Sequence, residues 1–139
     1  MDTDQLADDI IRLFKPLNVL HLGCENADLV TALLARNVPS FGISLNELDL
    51  NKYADIVADH IFVEDILTAD NLWFPKYDLI VAYNFLENRT DSDLQKIEQF
   101  INEHGERFYA IVHTVKQGGE HRLEWYQSKF ESAYFEEYH

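Results

Sequence analysis

Two histidines occupy the positions where chemistry is easiest to place. His21 and His113 each sit at the end of a short apolar run, over residues 18–22 and 108–112. An imidazole titrating near neutral pH is a general base; the plainer alternative is a hydrogen-bonded strand end. Cys24 follows Gly23 at the start of a predicted helix, where a thiolate nucleophile is stabilised; the alternative there is simple packing. Tyr83 and Asn84 end another apolar run and are placed to line a small-molecule pocket, or else to make strand-end hydrogen bonds. None of the six histidines falls in an HxH or HExxH spacing, and Cys24 is the single cysteine. Neither a histidine-built metal site nor a disulfide framework is therefore predicted.

These residues need strands to hold them. Apolar spacing predicts a first helix from a Thr3 cap to Pro16, then a strand over 18–22 closed by Gly23. A helix over 27–36 follows, then a strand over 40–43. A weaker helix over 46–58 precedes a third strand over 60–63. The segment YDLIVAY, residues 77–83, is apolar on both faces, as a central parallel strand is. Ser92 to Gln95 reads as a capping box opening a helix that ends at Gly105. A fifth strand over 108–112, a loop over 116–119, a helix marked by Leu123, Tyr126, Phe130 and Tyr134, and a final short strand over 135–139 complete the pattern. Strands alternating with helices imply a single α/β domain over 1–139 with a doubly wound, mainly parallel Rossmann-like sheet. The expected order is 3-2-1-4-5, with 18–22 central and 77–83 beside them. Ligands of such sheets sit beyond the carboxyl ends of the strands.

Charge narrows the partners. With 25 acidic and 11 basic residues the net charge is −14. Such a surface repels phosphate backbones, so nucleic acid and anionic membranes are not expected partners. No stretch approaches the ~18 apolar residues of a membrane span, and the acidic first residues lack the basic start of a signal peptide. A cytoplasmic protein is the expectation. The aromatic tail (Trp125, Tyr126, Phe130, Tyr134, Phe135, Tyr138) fits core packing by its spacing. It also allows a homodimer or protein-partner contact through residues 108–139, with Glu131, Glu136 and Glu137 at the rim.

Several of these segments, taken in order, resemble the class I S-adenosylmethionine-dependent methyltransferases. Residues 19–27, VLHLGCENA, are similar to that family's first motif, V-L-D-x-G-C-G-x-G. Gly23 and Cys24 match it, His21 stands in place of the acid, and Glu25 and Ala27 replace two glycines. Residues 41–44, FGIS, resemble the second-strand motif, with Ser44 where a ribose-gripping acid is usual. Asp65 and Ile66 match the third motif, beside the adenine. YDLIVAYNFLEN resembles F-D-L-I-V-A-x-N-V-L-E-H. The resemblance implies S-adenosylmethionine as cofactor, held by Gly23, Cys24, Glu25, Ala27, Ser44, Asp65, Ile66 and Tyr83. It implies methyl transfer to a small-molecule acceptor, with His21, Asn84 and His113 nearest the reaction, in a fold shortened at its C-terminal end. The altered first and second motifs equally imply a non-catalytic binding or interaction module of the same fold. The missing G-x-G-x-x-G speaks against a nicotinamide-dinucleotide enzyme.

Overall fold

The computed structural model describes residues 2–68, 74–130 and 133–138. Six strands form one sheet in the order β3-β2-β1-β4-β5-β6. They are β1 (Val19–Leu22), β2 (Ser40–Ser44), β3 (Ile61–Val63), β4 (Tyr77–Tyr83), β5 (Gly105–Val112) and β6 (Tyr134–Glu137). Every neighbouring pair is parallel, and β1 lies between β2 and β4, as the alternation predicts. The fold is thus an α/β, Rossmann-like, all-parallel sheet. β6 pairs directly with β5, Tyr109 facing Tyr134 in register, and no seventh strand is present among the described residues.

Both sheet faces are covered, which is why YDLIVAY carries apolar residues at successive positions. On one face Leu20, Leu22, Ile80, Ala82, Phe108 and Ala110 pack under α4 (Asp91–His104) and α5 (Leu123–Lys129). On the other, Val19, Leu79, Val81, Tyr109 and Ile111 pack under α1 (Thr3–Phe14) and α2 (Asp28–Ala35). His21 follows Val19 by two residues and shares its face, because side chains alternate along a strand.

Local chemistry moves several predicted boundaries. Asp2, not Thr3, caps α1, its carboxylate accepting the Asp4 N–H at 2.9 Å. Thr90, not Ser92, caps α4, its hydroxyl accepting the Asp93 N–H at 3.1 Å. The predicted helix over 46–58 shrinks to α3 (Asp55–Ala58). Its first half is tied instead into side-chain turns such as Asn51 N–H to Asp49 Oδ1, the competition short polar side chains offer to helix. The last helix ends at Lys129, so Phe130 is its cap and Tyr134 belongs to β6. The final strand stops at Glu137, and His139 lies outside the described residues, as does Glu131. Among the described residues no helix is long and apolar enough to cross a membrane.

Candidate functional site

A cleft of about 310 Å³ opens beyond the carboxyl ends of β1, β2 and β4. Gly23, Cys24, Glu25, Ser44 and Asn84, all singled out by the sequence, line it together. Its volume is at the lower end of the range for small-molecule sites. The backbone leaves β1 through Gly23 in a left-handed conformation, φ +73. It leaves β4 through Asn84, φ +55, and turns again at Asn88, φ +60. Asparagine tolerates that region better than other non-glycine residues, so the two asparagines bracket a tight turn carrying Phe85, Leu86 and Glu87.

That turn fills part of the cleft. The ring of Phe85 lies against Gly23 so closely that a Cβ built on the glycine would fall 2.0 Å from it. Arg89 fixes the ring: its Nε donates to the Phe85 carbonyl at 3.0 Å, and its guanidinium stacks 4.6 Å from the ring centroid. Phe85 and Arg89 are site residues that sequence reasoning missed. The available signal was Phe85 itself, standing where the similar family pattern has the smaller valine.

Several polar groups in and near the cleft are committed, although Asn84 Oδ1 is not. Ser44 is buried, and its hydroxyl both donates to the Asn46 carbonyl and accepts the Asn46 N–H at 3.2 Å. Asp65 does not line the cleft; its carboxylate accepts the Leu67 N–H at 3.0 Å. Ile66 is buried in the main core. Ala27 is also buried, and its N–H donates to the Tyr53 hydroxyl, which donates in turn to Asp28. Cys24 packs among Ala27, Val30, Val57 and Ile61. Burial pushes its thiol up to about 11, which suits packing and not thiolate chemistry.

His21 and His113 are not brought together, although only β4 separates their strands. His113 stacks on Tyr138 at 4.1 Å, Tyr138 packs on Tyr83, and Tyr83 lines a separate small cavity with His21. Both nitrogens of His21 are buried with no protein partner among the described residues. Burial lowers its pKa to about 4, so it is neutral at physiological pH and a weak base. His113 instead faces a second cleft of about 380 Å³ with Tyr126 and Glu120, its Nδ1 3.5 Å from Glu87 Oε2. Burial raises the Glu87 carboxyl, and His113 partly offsets that. Sequence reasoning did not single out Glu87 because it reads as one of many acids in an acidic chain. Among the described residues no group of three or more His, Cys, Asp or Glu is placed to hold a metal.

No protein-family model matches this chain. No curated protein matches it either.

Proposed function

We propose that this chain is a non-catalytic, methyltransferase-type module that binds a small polar molecule and no longer uses S-adenosylmethionine. The observation that carries the reading is the Phe85 ring seated on Gly23. A loop glycine serves to let a ligand approach the backbone closely, and here an aromatic side chain takes that approach. Ser44 supports the same reading, since a hydroxyl bonded twice within its own turn has little to offer a ribose. A carboxylate there would supply charge-assisted bonds of about 1.5–3 kcal/mol. The residues present therefore do not fit the cofactor.

The position of the cleft favours a second reading, an active small-molecule methyltransferase, because Gly23, Cys24, Glu25, Ser44 and Asn84 converge where that family's cofactor is expected. Titration calorimetry with S-adenosylhomocysteine separates the two. The first reading expects no heat of binding at millimolar ligand for the wild type. It expects measurable binding by a Phe85→Val, Ser44→Asp double variant, which reopens the glycine and restores the carboxylate. Micromolar binding by the wild type would overturn it.

A further inference from the structure

An arginine in this chain has carboxylates in surplus, 25 acidic residues against 11 basic. Arg12, Arg36 and Arg107 each take one, at 3.2, 2.8 and 3.1 Å. Among the described residues Arg122 and Arg89 take none. Arg122 stands exposed on the surface, but Arg89 is half-buried and lines the cleft at the ends of β1, β2 and β4. It is not a loose side chain. Its Nε donates to the Phe85 carbonyl, and its guanidinium carbon lies over the Phe85 ring. Its two Nη nitrogens have no partner among the described residues and, unlike Asn84 Oδ1, they are not buried. A guanidinium held by one nitrogen and one face presents the rest of its fork, which fits a carboxylate.

The same cleft holds the opposite charge. Glu25 lines it from the loop after β1, is exposed, and has no side-chain hydrogen bond or ion pair among the described residues. No ion pair joins Glu25 to Arg89, so the cleft keeps two charges of opposite sign apart. A ligand of one sign would be attracted at one of them and repelled at the other. A simple anion would also approach against the field of a chain of net charge −14. A ligand carrying both signs and no net charge satisfies Arg89 and Glu25 together. Leu45, Leu48 and Phe85 supply apolar wall between the charged groups. The volume, about 310 Å³, sets a small ligand with an apolar body.

We infer that the cleft binds a small zwitterion of the amino-acid class, its carboxylate on the Arg89 guanidinium, its ammonium facing Glu25 and its apolar side chain against Leu45, Leu48 and Phe85. The inference rests on the reading of this cleft as a small-molecule site and names the ligand class for it.

The test is titration of the whole chain, followed by calorimetry and by backbone amide signals of the cleft, with three probes on one carbon frame. Leucine carries both charges, 4-methylpentanoate only the carboxylate, and 3-methylbutylamine only the ammonium. Leucine is expected to bind saturably at millimolar concentration or below, and each single-charge probe about tenfold or more weaker, the worth of one charge-assisted bond. Glu25→Gln is expected to weaken leucine and to strengthen 4-methylpentanoate, because it removes an attraction from one and a repulsion from the other. Arg89→Gln does the converse, weakening leucine and strengthening 3-methylbutylamine. A residue that merely held the fold would move all three probes in the same direction. Absence of leucine binding, or a single-charge probe that binds as tightly as leucine, would overturn the inference. S-adenosylhomocysteine is titrated beside them. Its failure to bind alongside leucine binding supports both proposals. Its micromolar binding overturns the functional reading, and a failure of leucine alone overturns only the inference.

Discussion

A single buried imidazole carries a measurable pH signature. His21 has its pKa lowered by burial from 6.5 to about 4. The folded form therefore holds this proton less tightly than the unfolded form. Its contribution to stability is whole above about pH 6.5 and is lost as pH falls toward 4, about 3 kcal/mol in all. Chemical denaturation at pH 7 and pH 4 should show His21→Leu losing less stability on acidification than the wild type; equal losses would place the proton elsewhere. Gly23 makes a second residue-scale case. Alanine there would hold a left-handed backbone and press its methyl into Phe85, so Gly23→Ala should cost about 2–4 kcal/mol in denaturant melts. Residue identity was readable at Gly23, Cys24, Glu25, Ser44 and Asn84, which do meet in one cleft. What stayed hidden was commitment: whether Ser44 or Asp65 has hydrogen-bonding capacity left depends on Asn46 and Leu67, and a sequence does not state which neighbour a hydroxyl or carboxylate will choose.

The helices show where local rules compete. Ser92 with Gln95 satisfies a capping-box pattern, yet Thr90 wins the cap and α4 begins two residues earlier than a Ser92 cap would place it, at Asp91. Thr90 stands just beyond Asn88, whose left-handed turn sets the entry angle of the chain. Thr90→Ala should therefore cost about 1 kcal/mol. Ser92→Ala should change stability by no more than about 0.5 kcal/mol, as for an ordinary exposed position. Thermal melts of the two variants check both values, and reversed magnitudes would return the cap to Ser92. Strands were the most legible elements, because apolar runs such as 77–83 have one use in a sheet covered on both faces. The helix over 46–58 was the least legible. Its apolar residues keep helical spacing, but Asn46, Asp49 and Asn51 make local turns that end the helix before it starts.

For the molecule as a whole, strand alternation together with the doubly apolar run 77–83 led to the parallel order and the central place of β1 and β4. The aromatic tail reads differently in three dimensions. Tyr126, Phe130 and Phe135 lie inside the chain's own core, while Tyr134 and Val115 remain exposed near β6. β6 carries two adjacent carboxylates, Glu136 accepting from the Tyr109 hydroxyl at 2.8 Å and Glu137 lying 3.8 Å from Lys116. Two copies of a chain of net charge −14 meeting across a symmetry axis would bring like charges together, so self-association through residues 108–139 should be weak and should strengthen with added salt. Light scattering over protein and salt concentration checks this; a dimer that salt dissociates would contradict it.

The central claim is that Phe85 has replaced cofactor contact at Gly23. A crystal of the wild-type chain soaked in millimolar S-adenosylhomocysteine tests it most directly. The expected result is the Phe85 ring on Gly23 under the Arg89 guanidinium, with no nucleoside density between Gly23 and Ser44. A nucleoside bound there, with the ring swung away and the Ser44 hydroxyl on its ribose, would contradict it.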